Sequence, residues 1–415
     1  MDLREHQKVL VSRCLDVLKS KHLCYLAAEE RVGKSLVALD LIYQLCDISQ
    51  TALILTKKKA LEGWLSSIMG YRDGILKSRV LVTNYEQINK LTLKPSFVIL
   101  DEAHHGIGAY PRYSKIAGLA QKHAYDANYV LLLSATPHAE SYSQLFHQLN
   151  VSKFSPFDHY RDFYAWFRDY GIPEFQWIGG RQIRKYNNTQ VDKIKEAVDP
   201  YFVRMSRAEA GFDFEPIDHI HLVDLSNVER RHIETLKRTR VLELDVSRSD
   251  TKMVYDANTP TKLITALHQL EGGSLKFDKK GWHIWEAPKE QLSKVNYILN
   301  TWGDISDIAI FYNYIAEGEL LRKYFKNALI LQGTSYAEGI DLSHIRTLVI
   351  YSQNFSASKY IQRKARQCNY ARKEPIHVHF LLARGEISEM VYECVARKQV
   401  SFTSTIYMRD TEDSK

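Results

Sequence analysis

The sequence has no long apolar run. The stretch Tyr129-Val130-Leu131-Leu132-Leu133 is among the longest, whereas a membrane-spanning helix needs roughly 20 such residues. Charged residues appear at once in the N-terminal segment, with Asp2, Arg4 and Glu5, so this segment lacks the apolar centre of a signal peptide. We therefore expect a protein without a membrane partner, located in the cytoplasm.

Cysteine is scarce. The five cysteines are odd in number and spread over positions 14, 24, 46, 368 and 394. No two of them have the close spacing of a metal-binding or redox pair, so we expect reduced thiols rather than a disulfide framework. Internal repeats and low-complexity tracts are also missing, and only residues 410–415 are typical of a frayed tail.

The composition is that of an ordinary globular protein. The chain has 415 residues, of which 45% are hydrophobic and 25% charged, enough apolar material for two or three domains with full cores. The formal net charge of +7 favours a polyanionic partner without identifying one.

Short apolar strands alternate with helical patterns in the first part of the chain. A helical pattern over Leu3–Leu18 is followed by the strand Cys24–Ala28 and a helix over Ser35–Leu45. Four more strand candidates follow, at 52–55, 80–83, 97–100 and 129–134. This alternation predicts an α/β fold, a doubly wound parallel sheet with helices on both faces. We assign residues 1–225 to this lobe.

The first lobe is expected to carry a helical extension at about 154–201. Its aromatic residues Phe163, Tyr164, Trp166 and Phe167 are interpreted as packing residues rather than base-stacking residues. A second alternating series, with strands at 308–311, 328–331, 347–351 and 377–381, predicts a second lobe over residues 226–400. A hairpin is predicted at about 274–285, and residues 401–415 form the tail.

A phosphate-binding loop is predicted where Gly33-Lys34-Ser35 follows the first strand. A lysine among backbone N–H groups at the start of a helix binds anions, because the positive helix end and the ammonium act together. Ser35 would offer its hydroxyl to Mg²⁺. Ala28 stands where the general pattern of such loops has glycine.

A pair of carboxylates, Asp101-Glu102, directly follows the apolar strand Phe97–Leu100. Asp101 is suited to hold Mg²⁺ and Glu102 to polarise an attacking water. The alternative is that both acids only cap the following helix. Capping would not call for the phosphate loop upstream, so the two motifs together indicate nucleotide hydrolysis.

With these motifs the chain resembles superfamily 2 helicases, and among them the SNF2-type DNA translocases. Leu26–Ser35 is similar to motif I, which in the family usually has Asp at position 28 and Gly at position 31. Asp101–His104 matches motif II, and Ser134–Pro137 matches motif III. Weaker matches extend the resemblance from about residue 3 to 382, namely the Q motif at 3–7, Ia at 57–64, Ib at 83–86, IV at 310–312, V at 337–342 and VI at 362–366.

The resemblance implies two RecA-like lobes that bind ATP and Mg²⁺ between them. Catalysis is assigned to Lys34, Glu102 and Arg366, and Mg²⁺ to Ser35 and Asp101. ATP binding is assigned to Gln7, Glu29, Glu30, Arg31, Val32, Gly33, Lys34, Ser35, Asp101, Gly339, Asp341 and Arg366. Contacts to nucleic acid are assigned to Lys57, Lys58, Thr83, Tyr85, Thr334 and Ser335, and coupling between the two sites to Ser134, Thr136 and Gln362. Asn369 stands where the family usually has a second arginine.

The function implied is an ATP-dependent double-stranded DNA translocase that remodels DNA structures or DNA–protein complexes, for example by branch migration. Double-stranded or branched DNA is the expected partner. The chain resembles the minimal motor cores of bacteriophages and bacteria, which implies a bacterial or phage-infected cytoplasm. Two alternatives stay open, a 3′–5′ helicase that unwinds forked DNA or RNA and an ATP-gated binding protein with little turnover.

Overall fold

The computed structural model describes residues 2–138, 140–178, 181–212, 214, 216–246, 252–277, 283–333, 345–356, 360, 374–375, 377–397, 402–403 and 406–407. The chain forms two compact units, residues 1–212 and 213–415. Within the described residues, no helix combines the length and apolar character needed to cross a bilayer.

The first unit is built on a six-stranded parallel sheet with strand order β3-β2-β4-β5-β1-β8. Its strands, together with a separate two-stranded ribbon β6–β7, are β1 Leu23–Ala28, β2 Ala52–Thr56, β3 Val80–Asn84, β4 Phe97–Asp101, β5 Tyr129–Leu133, β6 Glu174–Ile178, β7 Arg181–Lys185 and β8 Phe202–Met205. Its helices are α1 Glu5–Lys21, α2 Lys34–Leu45, α3 Leu61–Gly70, α4 Ala103–Ile107, α5 Lys115–Ala124, α6 Gln144–Leu149, α7 Phe163–Tyr170 and α8 Val191–Val198.

The central strands of this sheet are apolar along their whole length because both faces are covered. All five residues of β2 are buried, as are the apolar residues of β4. Strands buried on both faces show continuous apolar runs rather than alternation. This is the pattern from which five of the six strands were predicted, and each lies within two residues of its predicted position.

The segment at 154–201 is only partly helical. Helices α7 and α8 flank the antiparallel ribbon β6–β7, so the predicted helical extension also contains a two-stranded ribbon. The packing interpretation of three of its aromatics is confirmed, because Phe163, Trp166 and Phe167 are buried. Tyr164 lies more than two-fifths exposed on the outer face of α7.

The second unit contains a five-stranded parallel sheet with strand order β15-β14-β16-β17-β9. Its strands and hairpins are β9 Ile217–Val223, β10 Val241–Leu244, β11 Met253–Asp256, β12 Ser274–Lys276, β13 Ile284–Glu286, β14 Ile308–Tyr312, β15 Leu329–Gln332, β16 Thr347–Ile350 and β17 His377–Ala383. Its helices are α9 Asn227–Thr239, α10 Pro260–Leu270, α11 Ser293–Thr301, α12 Ile315–Tyr324 and α13 Ile387–Tyr392.

The boundary between the units lies after Phe212, not near residue 225. Strand β9 pairs along its whole length with β17, from Ile217 to Val223, and so belongs to the second sheet. The strand pair β12–β13 is antiparallel, in agreement with the hairpin predicted at 274–285.

A buried lysine lies at the centre of a group of acids in the second unit. Lys294 on α11 is 1% exposed, and its ammonium donates to the carbonyl oxygen of Tyr351 at 3.2 Å. The buried carboxylates of Glu229, Glu271 and Glu317 act on its charge, and burial lowers the pKa of the ammonium. Burial also raises the pKa of Glu271 to about 7, against the attraction of Lys294. The cation thus compensates acids that would otherwise be buried without a partner charge.

Lys294→Met is therefore expected to lower the free energy of unfolding by about 3–5 kcal/mol, since it leaves buried carboxylates without their counter-charge. The urea midpoint at pH 7.5 measures this cost. Lys289→Met, at an exposed position before α11, is the matched control and is expected to change little. Equal midpoints for the two variants would contradict the compensating role of Lys294.

Four histidines form a ladder on one face of β9 and β17. His219 and His379 occupy paired positions, and ring nitrogens lie 2.8 Å apart between His219 and His377 and between His221 and His379. Burial, followed by the neighbouring histidines, lowers the pKa of His379 to about 4. The ring of His379 is therefore neutral at pH 7, which allows these rings to pack against one another.

Candidate functional site

The loop between β1 and α2 encloses the side chain of Lys34. Its ammonium donates to the carbonyl oxygens of Ala28 at 2.8 Å and Glu29 at 3.1 Å. Gly33 precedes α2 with φ 94°, a conformation in which glycine carries no steric cost. The first turn of α2 leaves backbone N–H groups without helical acceptors, so the loop combines a lysine with free donors, as an anion site requires.

Gln7 packs directly on this loop. Its side-chain amide donates to the carbonyl oxygen of Val32 at 3.3 Å and accepts from the backbone N–H of Arg4 at 2.9 Å. A Cβ atom at position 33 would lie 2.0 Å from the Gln7 amide nitrogen, so Gly33 also permits this close approach. The structure thus joins the predicted Q-motif residue to the predicted phosphate loop.

The loop also contains two acidic residues, Glu29 and Glu30, and the positive charge of Arg207 compensates their negative charge. Glu29 accepts from the backbone N–H of Arg207 at 3.0 Å, and the Arg207 guanidinium lies 3.5 Å from Glu29 and 4.0 Å from Glu30. Neither carboxylate oxygen of Glu30 has a hydrogen-bond partner among the residues described, and burial raises the pKa of Glu30. Arg207, from the segment after β8, was not predicted, because only the pairing of β8 with β1 brings it to the loop.

Arg31 has a left-handed backbone conformation with φ 69°. This is the position at which the resembling motif usually has glycine, and the arginine side chain makes the conformation more costly there. Positive φ in a non-glycine residue is uncommon and concentrates at functional sites. The departure from the motif therefore keeps the backbone shape that a glycine would give.

Asp101 is held by two donors at the end of β4. Its Oδ2 accepts from the Thr56 hydroxyl at 2.7 Å and from the Trp64 indole N–H at 2.8 Å. Burial raises the pKa of Asp101, followed by the charge of Glu102, whereas Trp64, Thr56 and the charge of Lys34 lower it. The carboxylate is thus fixed in orientation and within electrostatic reach of the loop lysine.

The residues after Asp101 connect motif II to motif III. Glu102 has φ 51° and ψ 45°, and its carboxylate lies 3.7 Å from Nδ1 of His104. The same Nδ1 lies 2.7 Å from the Ser134 hydroxyl, which accepts from the backbone N–H of Thr136 at 2.9 Å. Burial lowers the pKa of His104 to about 3. A neutral His104 thus connects the predicted water-activating acid to the two predicted coupling residues.

Two buried side chains, Tyr25 and Gln148, support the motif III loop by hydrogen bonds. The Tyr25 hydroxyl donates to Gln148 at 2.6 Å, and the amide of Gln148 donates to the carbonyl oxygen of Pro137 at 2.9 Å. Sequence patterns did not identify either residue, because both lie in apolar stretches that are typical of a hydrophobic core.

The predicted contacts to nucleic acid differ in accessibility. Lys58 is exposed after β2, while Lys57 and Thr83 are half-buried. Tyr85 is buried against Gly106, and its hydroxyl donates to the carbonyl oxygen of Asp101 at 2.8 Å. The ring and hydroxyl of Tyr85 therefore support the carboxylate strand, and its assignment to nucleic acid stays a prediction.

The remaining predicted residues of the second lobe lie outside the described part of the chain. They are Thr334, Ser335, Gly339, Asp341, Gln362 and Arg366. Asn369, the departure from motif VI, lies outside it as well.

The oxygen and nitrogen groups at the carboxyl ends of β1 and β4 fit a magnesium nucleotide. Asp101 and Ser35 offer hard oxygen ligands, which Mg²⁺ prefers, and Mg²⁺ takes most of its other ligands from water and phosphate. No cluster of three or more histidine, cysteine or acidic side chains suited to a metal occurs among the described residues. Loop N–H groups and Lys34 supply donors for phosphate oxygens.

Both units contain a parallel sheet combined with helices, so the predicted α/β fold class with two parallel-sheet lobes is confirmed. The SNF2-related domain family matches residues 75–272. The matched segment is slightly less than half of the chain. The phosphate loop lies before the matched segment.

A curated relative and a solved structure are among the proteins similar to this chain. The Caenorhabditis elegans chromodomain-helicase-DNA-binding protein 3 homolog is 20% identical over 377 residues, which cover 80% of this chain and 20% of that protein. The chain therefore spans about a fifth of the length of this curated relative. The Sulfolobus solfataricus SWI2/SNF2 ATPase core in complex with dsDNA is 14% identical and covers 98% of this chain, with 93% of that chain matched and a TM-score of 0.45.

The indole N–H of Trp64 stabilises the ionised form of Asp101, so its loss should matter only where Asp101 is ionised. Trp64→Phe is expected to lower the free energy of unfolding by about 1.5–3 kcal/mol at pH 8. The part of this penalty that comes from the lost hydrogen bond should vanish as the pH falls through the folded-state pKa of Asp101, because protonation removes the charge that the hydrogen bond stabilises, and only the packing cost should remain. Urea unfolding across this pH range measures the effect.

Trp166→Phe provides a matched control for this experiment. The Trp166 indole nitrogen is buried without a hydrogen-bond partner among the described residues, so its replacement should cost the same at every pH. A penalty for Trp64→Phe that is independent of pH would contradict the link to Asp101.

Proposed function

We propose that this chain is a nucleic-acid-dependent ATPase that moves along double-stranded DNA and remodels DNA structures or DNA–protein complexes. The family match supports the enzyme class. Branch migration is the remodelling activity that we favour within this class. ATP and Mg²⁺ are the proposed cofactors.

One observation carries the proposal. The lysine loop after β1, the carboxylate pair after β4 and the hydroxyls after β5 all lie at the carboxyl edge of one parallel sheet. In open α/β sheets this edge is where ligands bind. The charge of Lys34 lowers the pKa of Asp101, so the two motifs influence each other electrostatically.

Each residue has a proposed role at this edge. Lys34 exchanges the carbonyls of Ala28 and Glu29 for phosphate oxygens, and loop N–H groups complete the phosphate contacts. Asp101 and Ser35 hold Mg²⁺, which neutralises charge on the phosphates. Glu102 orients and polarises the attacking water. Gln7, already fixed against the loop, recognises the adenine.

Signal transfer is proposed to run from Glu102 through His104 to Ser134 and Thr136. The Thr136 hydroxyl is buried without a partner among the described residues, so it has a donor to offer when a phosphate or carboxylate moves. From the resemblance we assign Arg366 to the γ-phosphate and Gln362 to coupling. Lys57, Lys58, Thr83, Thr334 and Ser335 are proposed to contact DNA phosphates, which give affinity with little sequence preference.

Steady-state ATP hydrolysis with and without duplex DNA tests this proposal. We expect DNA to stimulate the wild-type rate, and Lys34→Ala and Glu102→Gln each to lower the stimulated rate by about 100-fold or more, because each removes a group acting on the transition state. Lys77→Ala and Glu196→Gln, at exposed positions of the first unit, are matched controls and should hydrolyse ATP normally. Hydrolysis that DNA leaves unchanged would overturn the translocase proposal.

A second candidate function is an ATP-gated binding protein with little turnover. It is favoured by Glu30, a buried acid in the phosphate loop whose charge opposes that of a triphosphate. Nucleotide-dependent DNA binding without hydrolysis would support this candidate. Strand separation on forked but not blunt substrates would instead favour the helicase alternative.

A further inference from the structure

The ribbon β6–β7 carries large apolar side chains in solvent. Trp177 is 70% exposed, Phe175 53% and Ile183 47%. These values contrast with the aromatic helix α7 beside it, where Phe163, Trp166 and Phe167 are buried. Packing within the chain therefore does not account for the ribbon aromatics.

The two faces of the ribbon follow from its register. Phe175 pairs with Arg184 and Trp177 with Gln182, so both aromatic rings lie on the same face as one arginine and one amide. Ile183 and Arg181 lie on the opposite face, because successive side chains of a strand alternate. One face is thus an aromatic surface with polar donors between its rings.

The ribbon is basic as well as aromatic. Arg181, Arg184 and Lys185 occupy β7, while Glu174 is the one acid of the two strands. Among the described residues none of these three cations forms an ion pair with an acid, and the Arg184 guanidinium lies 5.5 Å from the rings of Phe167 and Tyr186. The charge complements a phosphate backbone, and the rings complement base faces.

The base of the ribbon is fixed to the segment that follows motif III. The hydroxyls of Ser141 and Ser143 donate to the carbonyl oxygens of Asn187 at 2.6 Å and Tyr186 at 2.5 Å. At the other end, a Cβ atom on Gly171 would lie 2.4 Å from the Phe167 ring, so glycine permits the chain to turn closely out of α7. The base of the ribbon is thus hydrogen-bonded to the segment that follows the predicted motif III.

A cavity of about 500 Å³ lies beside the ribbon and reaches motif II. Arg184 and Lys185 of the ribbon and the motif II histidines His104 and His105 are among the residues that line it, together with Glu140.

We propose that the ribbon β6–β7 binds unpaired nucleotides, with Trp177 and Phe175 stacking on bases and Arg184, which lies on the same face, contacting phosphates. The inference rests on the proposed nucleic-acid function, but it adds a contact to single strands that tracking along a duplex does not require. Stacking needs a base that is free of its partner, whereas duplex bases expose only their edges.

The ribbon proposal is tested by measuring how tightly the full chain binds fluorescently labelled DNA in the absence of ATP. One substrate is a blunt duplex, and the other is the same duplex with an overhang of about ten unpaired nucleotides, within the span that stacking proteins cover. Trp177→Ala is expected to weaken binding of the overhang substrate by about 5- to 100-fold while leaving blunt-duplex affinity unchanged. Arg184→Glu is expected to weaken binding of the overhang substrate and to reduce its salt dependence.

Two variants serve as controls. Tyr125→Ala removes another exposed aromatic and Lys122→Glu reverses another exposed charge of the first unit, and neither should change affinity. Thermal melting should show all four variants folded, since the substituted side chains lie at the surface.

The outcomes separate the two proposals. If the wild-type chain binds DNA and Trp177→Ala binds both substrates as well as wild type, the ribbon inference is overturned and the proposed function stands. Equal weakening on both substrates would overturn the assignment to unpaired bases. A wild-type chain that binds neither substrate would contradict both the ribbon inference and the proposed function.

Discussion

The ammonium of Lys34 donates to two carbonyl oxygens of its own loop, and the arrangement of the first unit depends on this interaction. A lysine charge needs acceptors, and here Ala28 and Glu29 supply them at 2.8 and 3.1 Å. Gly33 allows the loop to turn into α2, Gln7 closes over it, and Arg207 balances its acids. The loop therefore holds a cation in position through contacts that phosphate oxygens can replace.

The other chemical groups of the candidate site lie at the same carboxyl edge of the first sheet. Asp101 keeps its orientation because Thr56 and Trp64 donate to one carboxylate oxygen. His104 stays neutral because burial lowers its pKa to about 3, so it links Glu102 to Ser134 without adding charge. Together these contacts provide a physical route from the proposed phosphate site to the motif III loop, and from there to the base of the ribbon.

Sequence patterns predicted the parallel strands because a strand buried on both faces is a continuous apolar run. They placed the domain boundary too late because β9, with His219 and His221, is polar at alternate positions and gives no such run. The ribbon was missed for a different reason: Gly179-Gly180 between two alternating segments is a hairpin signal, but the aromatics before it suggested a continued helix.

The motifs likewise located Lys34, Asp101 and Glu102, whose positions follow from strand ends. They could not locate Trp64 or Arg207 as partners, since those contacts depend on packing between distant segments. Tyr85 follows a strand end as the DNA assignment expected, yet Gly106 leaves room for its ring to turn inward. The position of a residue along the chain thus predicts that it lies at the edge of the sheet. The direction of its side chain depends on neighbouring residues from distant segments, which come together only in the fold.

The affinity of the full chain for ATP, measured by calorimetry in the presence of Mg²⁺ for wild type and Lys34→Ala, tests the central claim most directly. If Lys34 exchanges its loop carbonyls for phosphate, the variant should bind ATP about 10- to 100-fold more weakly, as expected for the loss of charge-assisted hydrogen bonds. Equal affinity in the two proteins would show that this loop does not bind the nucleotide and would contradict the account.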